Sequence, residues 1–389
     1  MNLNNSLIMT QLKIGFDAKR AVRNYTGLGN YSRLIVNSLA RRYPDNRYLM
    51  YAPDNRPNPR LAPILDRDNV ELKLPTSTIG KAIPSLWRVN GVVNDLRRDK
   101  IDLFHGLSNE LPLNIGKSGI PSVVTIHDLI FRRFPQCYKP IDRKIYDYKF
   151  SRAARAATRV IAISRCTCRD LVNIYGIPFE KIDIVYQGCD QSFTREVSDA
   201  EIAALKKKYG IDGPFIVTIG TVETRKNQLL AVKAMRGLPD EISLVIVGRQ
   251  TPYADEIRRY IAANSLNNRI KWVEGAPFSE LPVFYRAALF STYTSRYEGF
   301  GLPVIESLSA STPVIIASGS CLEEAGGPSA PVVNPDDVDA LVHQCRRLID
   351  DEPLRKAIAA EGRQYVSRFN EETFTQKVME VYNKALAST

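Results

Sequence analysis

The stretch LFSTYTSRYEGFGLPVIESLSASTPVIIA, residues 289–317, holds two apolar runs separated by a glycine-containing loop and a helical pattern. The runs Leu289–Thr292 and Val314–Ala317 predict buried strands. Pro303 suits the first position of a helix, because its missing N–H is not needed there. A strand–helix–strand unit of this length is typical of a parallel sheet covered by helices, so the stretch predicts an α/β fold.

The same alternation of apolar runs and amphipathic helical patterns extends along the whole chain. Seven strands are predicted in the first half, at Lys13–Phe16, Tyr48–Tyr51, Val70–Leu72, Leu103–His105, Ser122–Ile126, Val160–Ile163 and Ile182–Val185. Six are predicted in the second half, at Phe215–Ile219, Ser243–Val247, Ile270–Val273, Leu289–Thr292, Val314–Ala317 and Pro331–Val333. We therefore predict two similar sheets, each wound with helices on both faces.

A domain boundary is predicted between residues 188 and 213. The segment QGCDQSFTREVSD (187–199) is polar, and a charged helical pattern leads from it to a Gly-Ile-Asp-Gly-Pro break. We assign residues 1–190 to a first domain and 191–370 to a second, followed by a last helical pattern within 371–389. In two such domains the carboxyl ends of the strands face a central cleft, where ligands of these folds bind.

The composition fits a globular protein of two domains. The chain has 389 residues, of which 44% are apolar. No run approaches the ~18 to 20 apolar residues that span a bilayer, and MNLNNSLIMTQLK (1–13) has neither the basic start nor the cleavage site of a signal peptide. The six cysteines match neither a disulfide framework nor a zinc-site spacing. We therefore expect a soluble, unprocessed cytoplasmic protein.

The positive charge is concentrated in the first half. Residues 1–190 hold 30 Lys and Arg against 17 Asp and Glu, a net +13, whereas residues 191–389 hold 23 against 25. Between Phe131 and Arg169, eleven basic residues face two acids and are interleaved with aromatic residues. Such a segment suits an anionic membrane, a nucleic acid or a phosphorylated substrate, although each single Arg is also compatible with a solvated helix face.

Two glutamates lie eight positions apart in the first stretch, Glu298 in the loop and Glu306 in the helix. Gly299 and Gly301 let backbone amides approach a ligand, and the amino end of the helix suits phosphate. A carboxylate accepts two hydrogen bonds and so suits a pair of sugar hydroxyls. Taken singly, either glutamate would be an ordinary loop or helix-start residue. Together they predict a nucleotide-sugar site, with a diphosphate over the glycines and a diol at each glutamate.

The loop GTVETRKNQ, which begins at Gly220, supplies cations. Arg225 and Lys226 are predicted to open the next helix, where fixed charges stabilise a leaving diphosphate. The two Asp-x-Asp sequences, at 66–68 and 337–339, lie in a polar turn and at a helix start rather than directly after a strand. We therefore predict neither an essential metal nor a cofactor beyond the nucleotide-diphosphate sugar itself.

Two of the three histidines follow predicted strands of the first domain. His127, at the end of VVTI, is a candidate for hydrogen bonding to a sugar hydroxyl. His105 fits the usual reading of a lone histidine as a structural residue, and with Asn109 it is also the candidate for acceptor binding. The third, His343, is expected on the surface of a helix.

These motifs resemble a known family. EGFGLPVIE (298–306) is similar to the E-x7-E element of retaining family 4 glycosyltransferases, which have the GT-B fold. Further elements that resemble the family are TGLGNYS, FHG, VTIHDL, IAISRCTCRDLVNIYGIPFEKIDIVYQGCD, TIGTVETRKN, LVIVG and STPVIIASGSCLEEAGG, so the likeness covers nearly the whole chain. It implies two Rossmann-like doubly wound domains facing a central cleft, the first binding the acceptor and the second the nucleotide sugar. The last helix is expected to cross back to the first domain.

The resemblance also implies residue roles. The catalytic positions it implies are His127, Arg225, Lys226 and Glu298. The donor-binding positions it implies are Gly27, Gly29, Gly220, Arg225, Lys226, Glu298, Gly299, Phe300, Gly301, Leu302 and Glu306. Arg225 and Lys226 would bind the diphosphate, and Glu306 the ribose. Glu298 would contact hydroxyls of the donor sugar. Thr221 departs from many relatives, which have an arginine there, so more of the phosphate charge falls on the basic pair.

The implied reaction is the retaining transfer of a hexose, mannose or a related hexose or deoxyhexose, from a nucleotide-diphosphate sugar. The implied acceptor is a saccharide or lipid-linked saccharide in bacterial surface-polysaccharide synthesis. The basic first half would then contact an anionic membrane peripherally, from the cytoplasmic side.

Three alternatives remain at this point. GLGNYS (27–32) resembles the glycine fingerprint of a nicotinamide dehydrogenase, but Ser32 replaces the third glycine and about ten residues separate it from the strand. A basic nucleic-acid-binding protein would explain the charge, yet no recognition motif is evident. A nucleotide-sugar epimerase could share the fold, although its motifs differ.

Overall fold

The computed structural model describes residues 11–388 and contains two parallel sheets. The first sheet has the order β3-β2-β1-β4-β5-β6-β7, with β1 (Lys13–Asp17), β2 (Arg47–Tyr51), β3 (Val70–Lys73), β4 (Leu103–Gly106), β5 (Ser122–Ile126), β6 (Arg159–Ala162) and β7 (Ile182–Ile184). The second has the order β10-β9-β8-β11-β12-β13, with β8 (Phe215–Ile219), β9 (Ser243–Val247), β10 (Ile270–Val273), β11 (Ser291–Tyr293), β12 (Val314–Ala317) and β13 (Val332–Val333). The predicted fold class is confirmed, and every predicted strand overlaps an observed one. Most of the N-terminal segment on which the prediction of an unprocessed chain depended lies outside the described residues.

Helices connect the strands throughout. Those associated with the first sheet are α1 (Lys19–Arg23), α2 (Gly27–Arg42), α3 (Ala62–Leu65), α4 (Thr78–Ala82), α5 (Pro84–Leu86), α6 (Val92–Arg98), α7 (Ile130–Arg133), α8 (Pro140–Ala156) and α9 (Arg165–Tyr175). Those that follow are α10 (Asp199–Tyr209), α11 (Gln228–Ala234), α12 (Tyr253–Ala263), α13 (Leu281–Ala287), α14 (Leu302–Ser309), α15 (Leu322–Gly326), α16 (Val338–Asp350), α17 (Glu352–Val366) and α18 (Glu371–Ala387). None of the helices within residues 11–388 has both the length and the hydropathy of a membrane-spanning helix.

Both faces of each sheet are apolar. In β5, Val123 packs with α2 and α18, whereas its neighbours Val124 and Ile126 pack on the opposite face with α8 and α9. Successive side chains of a strand point to opposite faces, so a strand covered on both sides is apolar throughout. This burial is why continuous apolar runs predicted the strands well.

The order of strands reverses between β1 and β4 in the first sheet and between β8 and β11 in the second. The loops that leave neighbouring strands at such a point turn to opposite faces, which opens a crevice at the carboxyl edge. The loops after β8 and β11 carry Lys226 and Glu298, and the loops after β4 and β5 carry Asn109 and His127. The fold thus brings the predicted site residues of both domains toward one cleft.

The last helix, α18, packs against the first domain. Its Tyr382 hydroxyl lies 2.7 Å from Nδ1 of His105, and its Phe374 ring packs on Tyr31 of α2. The chain therefore returns to the domain from which it began.

Candidate active site

A largely buried carboxylate, Glu298, sits between two cations in the loop after β11. Its Oε1 accepts hydrogen bonds from Lys226 Nζ at 3.1 Å, from the Tyr293 hydroxyl at 2.9 Å and from Ser295 Oγ at 2.9 Å. Nη1 of Arg225 forms an ion pair with the same oxygen at 2.8 Å. We call these five residues the Glu298 cluster.

The charges of the Glu298 cluster are fixed. Burial alone would raise the pKa of Glu298, but the charges of Lys226 and Arg225 outweigh it and lower this pKa to about 2. Burial opposes the charge of Arg225 as well, yet Glu298 and Glu223 hold the pKa of Arg225 above its ordinary value. Glu298 and Arg225 therefore stay ionised across the neutral range, each held by the opposite charge of the other.

Arg225 and Lys226 do not open a helix, so this part of the prediction was wrong. They lie in a separate 3₁₀ turn, Thr224–Lys226, and α11 begins only at Gln228. The break is at Asn227, which adopts a left-handed conformation with φ 57°. Its side chain donates to the carbonyls of Thr294 and Pro335, 3.3 and 2.8 Å away. Two tertiary hydrogen bonds thus fix a backbone conformation that Asn tolerates and that no helix contains.

The glycines of EGFG allow the two domains to touch at the site. A Cβ atom on Gly299 would lie 2.2 Å from the carbonyl oxygen of His127. Gly301 has φ 102° and precedes the first residue of α14, a conformation that favours glycine. The side chain of Phe300 is buried and stacks on Tyr186, so only its backbone can face the cleft. Leu302 is half-buried at the start of α14.

The remaining glycines have different surroundings. Gly220, with φ 143°, lies beside the Lys226 side chain. Gly27 is exposed at the start of α2, with open space around it, and is available to a ligand. Gly29 is required by the local turn, since a Cβ there would lie 1.8 Å from the carbonyl oxygen of Asn24.

His127 is buried at the carboxyl end of β5. Its Nε2 lies 2.9 Å from the carbonyl of Leu107, so this nitrogen carries the proton and donates it; Nδ1 accepts from Gln187 at 3.3 Å. Burial lowers the pKa of His127 to about 4, which leaves the ring neutral at pH 7.

The two residues predicted to bind acceptor are internal. His105 is 0% exposed, and its Nε2 lies 2.9 Å from the hydroxyl of Thr125. Its Nδ1 contacts the hydroxyl of Tyr382 in α18. Asn109 has φ 63°, and its Oδ1 accepts from the backbone N–H of His127 at 2.7 Å. Acceptor binding by either residue finds no support in this placement. The burial of His105 agrees with the prediction that it is a structural residue. Asn109 helps to position His127 through the hydrogen bond from the backbone N–H of His127. The third histidine, His343, is exposed on α16 as expected.

Glu306 lies in the middle of α14 and faces a cavity of about 390 Å³ between the domains. The lining includes Asn30 and Arg33 from the first domain, Asp190 from the connection, and Phe278 from the second domain. Burial, together with the negative charge of Asp190, raises the pKa of Glu306 to about 7. The charge of Lys226 lowers the pKa of both Glu306 and Glu298. Lys226 is therefore within electrostatic reach of both glutamates.

Sequence reasoning missed an interdomain contact beside this site. The buried carboxylate of Asp170, in α9, accepts hydrogen bonds from the hydroxyl of Tyr297 and from Arg133. Glu324 of the second domain accepts from the backbone N–H groups of Arg165 and Cys166, at 2.8 and 2.9 Å. The two bonds to Glu324 satisfy free amides at the start of α9. The bond between Tyr297 and Asp170 ties the first domain to the loop that carries Glu298.

Two family models match the chain. The model described as "Glycosyltransferase Family 4" matches residues 25–193, and that described as "Glycosyl transferases group 1" matches residues 201–365. The boundary between the two matches falls in the polar connection before α10.

Curated relatives are similar over most of their length. The chain is 27% identical to O-antigen chain mannosyltransferase B of Escherichia coli over 293 residues, which cover 74% of this chain and 75% of that protein. It is 26% identical to the MMP alpha-(1->4)-mannosyltransferase of Mycolicibacterium hassiacum over 352 residues, 86% and 83% of the two chains.

Solved structures share the fold. HepE of Anabaena, in complex with UDP and glucose, has a TM-score of 0.76 at 20% identity, covering 96% of this chain and 100% of that one. A glycosyltransferase of Rickettsia africae has a TM-score of 0.77 at 16% identity, covering 98% and 100%. Both likenesses extend over the two domains.

Proposed function

The chain is a family 4 glycosyltransferase with the GT-B fold, and from this premise we propose that it transfers mannose, or a related hexose or deoxyhexose, with retention of anomeric configuration. The donor is a nucleotide-diphosphate sugar and the acceptor a saccharide or lipid-linked saccharide in surface-polysaccharide synthesis. Support for mannose comes from the E. coli and M. hassiacum relatives, whose names describe mannosyltransferases. The observation that carries the proposal is the Glu298 cluster, whose neighbour Gly299 meets the backbone carbonyl of His127 where the strand ends of the two sheets face each other.

The donor lies along the second domain. Lys226 and Arg225 bind the diphosphate, assisted by Gly220 and the amides that begin α14. Glu306 accepts hydrogen bonds from the ribose hydroxyls in the cavity, and the donor sugar lies toward Glu298 and His127. The cations and amides supply the charge stabilisation that the leaving diphosphate needs, so we propose that no metal is essential.

In the retaining step, the acceptor hydroxyl attacks from the face that the diphosphate leaves, and a leaving phosphate oxygen takes its proton. Glu298 is not the nucleophile in this proposal. A carboxylate with a pKa of about 2 that is bound to two cations is a weak nucleophile. Its work is to hold Arg225 and Lys226 and to accept hydrogen bonds from sugar hydroxyls.

The first domain associates peripherally with an anionic membrane. Support comes from large apolar side chains that are exposed on α4 and α5, at the junction between these two helices, and on α8, namely Ile79, Leu86, Ile83, Ile141, Ile145 and Tyr148. They belong to the first half of the chain, which carries the excess of positive charge. Exposed apolar side chains on a cationic domain suit the interface of an anionic bilayer. Flotation with vesicles at low salt tests this association, and protein that ignores anionic vesicles would contradict it.

A screen of nucleotide sugars tests the donor. Thermal shift and hydrolysis should identify one nucleotide-diphosphate hexose that raises the melting temperature and is slowly hydrolysed without acceptor. GDP-mannose is the first candidate, since mannose is the sugar of the relatives. A screen in which no nucleotide sugar binds or is hydrolysed would contradict the proposal.

A further inference from the structure

A groove on the first domain lies apart from the donor site. It runs along α8 and has two parts that share Leu113, Tyr148, Arg152 and Ala156. The inner part is a cavity of about 60 Å³ that reaches Asp17, at the end of β1. The outer part is a wider space of about 470 Å³. We call the whole the α8 groove.

The inner end of the α8 groove is a buried ionic network. Arg88 donates to Asp17 at 2.5 Å and to Glu110 at 2.7 Å, and the three side chains are 11%, 7% and 14% exposed, respectively. Three buried charges stabilise a fold little more than three apolar side chains of similar volume would. Stability alone therefore does not explain why charged residues occupy these positions. Asp17 ends β1 and Glu110 lies in the loop after β4, and the first sheet reverses its order between these two strands. Carboxylates at such a crevice suit the hydroxyls of a saccharide.

The charged residues that line the outer end of the α8 groove are all cations. Lys117, Arg152 and Arg155 line it, no carboxylate does, and none of the three forms an ion pair within residues 11–388. Arg152 and Arg155 donate to the carbonyls of Leu113 and Tyr175 at 2.9 and 3.0 Å, which fixes both guanidinium groups along the helix. Two guanidinium groups held in this way, with the exposed Lys117 beside them, repel one another and favour a bound anion.

An exposed aromatic ring joins the two parts. Tyr148 lines both of them and is 56% exposed. Its ring offers an apolar face to a pyranose between the ionic and the cationic ends. On the same helix, Ile141 and Ile145 are exposed toward the proposed membrane surface.

We propose that the α8 groove binds an acceptor saccharide that carries a phosphate or diphosphate group. The sugar hydroxyls contact the Asp17–Arg88–Glu110 network, and the phosphate binds Lys117, Arg152 and Arg155. This inference rests on the proposed function and names the acceptor class: a phosphate-linked saccharide whose lipid enters the bilayer beside α8.

Titration with inorganic pyrophosphate tests the cationic end. The wild type should bind two equivalents, one at the donor site, lost in Lys226→Ala, and one in the groove. The double variant Arg152→Ala/Arg155→Ala should lower the affinity of the groove site for pyrophosphate by about tenfold or more, because two charge-assisted contacts are lost. Arg132→Ala with Lys144→Ala removes the same charge from exposed positions outside the groove and should leave both sites intact. A groove variant that still binds two equivalents with wild-type affinity would overturn the proposal.

Kinetics and vesicle binding distinguish the source of the phosphate. With acceptor extracted from membranes, the groove variant should raise the acceptor KM about tenfold while donor hydrolysis and donor KM stay unchanged. On vesicles with about one third phosphatidylglycerol, the groove and control variants should bind equally, because both lose two charges. If only the groove variant loses vesicle binding while the acceptor KM is unchanged, the groove binds phospholipid headgroups and the proposal is wrong. Failure of the donor screen would remove the proposed function but not a pyrophosphate site on α8, so the two failures can be told apart.

Discussion

The hydroxyl of Tyr297, in the second domain, donates a hydrogen bond to the buried carboxylate of Asp170, in the first. Tyr297 directly precedes Glu298, and its carbonyl accepts from Nη1 of Arg225 at 2.5 Å. The contact between the domains and the position of Arg225 therefore share one residue. We therefore expect loss of the contact between the domains to disturb the Glu298 cluster as well.

Tyr297→Phe tests this coupling. The ring should stay packed near Phe134, with ring centroids 5.8 Å apart, but the bond to Asp170 is lost, so we expect a loss of about 2 kcal/mol in unfolding free energy. Turnover should fall about tenfold, since small displacements of catalytic groups are costly. Tyr48→Phe, which removes a buried hydroxyl far from the cleft, is the control and should lower stability without lowering turnover. Equal turnover in the two variants would refute the coupling.

Glu298→Gln tests the charge of the cluster. Glutamine keeps the shape but leaves Arg225 and Lys226 without their buried counter-charge, which should destabilise the protein by about 3 kcal/mol. The value of kcat/KM should fall roughly 100-fold or more, because the cations lose their fixed positions. Glu223→Gln removes a more exposed partner of Arg225 and should cost less than about 1 kcal/mol. Chemical denaturation and steady-state kinetics measure both, and similar effects of the two variants would contradict the account.

Lys226 and Glu306 should affect different kinetic parameters. Lys226→Ala should lower kcat about 100-fold, because it removes a cation from the leaving diphosphate. Glu306→Ala should mainly raise the donor KM, because the ribose is bound equally in the ground and transition states. Lys207→Ala, at an exposed position on α10, serves as the control. Unchanged kinetics in both site variants would remove the site assignment.

Glu306 should make the protein less stable as pH rises. Its pKa is about 7 in the fold against an ordinary value of 4.5, so the folded state holds the proton more tightly. Stability is therefore lost between about pH 4.5 and pH 7, by about 1 to 3 kcal/mol, and changes no further above that range. Glu306→Gln should abolish this dependence in urea titrations from pH 5 to 8. A variant with the same slope as the wild type would show that another group is responsible.

Donor affinity should change in the opposite direction. The ionised carboxylate of Glu306 accepts hydrogen bonds from a ribose better than the acid does, so the donor KM should fall several-fold between pH 6 and pH 8. In Glu306→Gln the donor KM should be higher and flat over this range. A wild-type KM that is independent of pH would contradict ribose binding by Glu306.

Substitutions of the two buried histidines should have different effects, one on stability and the other on catalysis. His105→Gln should lower stability, because the bond to Tyr382 anchors α18, and leave donor hydrolysis close to the wild-type rate. His127→Gln should lower donor hydrolysis more than tenfold, since a neutral ring beside the donor sugar is lost. Because the pKa of His127 is about 4, the wild-type kcat at saturating donor should show no histidine titration between pH 5 and pH 8, whereas the donor KM changes through Glu306. Loss of donor hydrolysis in His105→Gln alone would reverse the assignment.

The fold was predictable because strands that are buried on both faces of a sheet need apolar residues at successive positions, and such runs are easily recognised in the sequence. The glutamates, glycines and basic pair were found for a related reason, since each follows a strand that could be recognised. Partners distant in sequence could not be found this way. Tyr382 lies 277 residues from His105, and Tyr297 lies 127 residues from Asp170.

The separate turn of Arg225 and Lys226 was missed for the same reason. Asn227 could have continued a helix on its local propensity, and only its hydrogen bonds to Thr294 and Pro335 fix the left-handed conformation. The pairing of Asp17 with Arg88, on which the acceptor proposal depends, likewise joins segments 71 residues apart.

A crystal structure with the bound donor nucleotide tests the central claim most directly. The account predicts the diphosphate within hydrogen-bond distance of Nζ of Lys226, with the ribose at Glu306 and the hexose between Glu298 and His127. A nucleotide bound at the strand ends of the first domain, or a diphosphate that leaves the Lys226–Glu298 pair untouched, would contradict it.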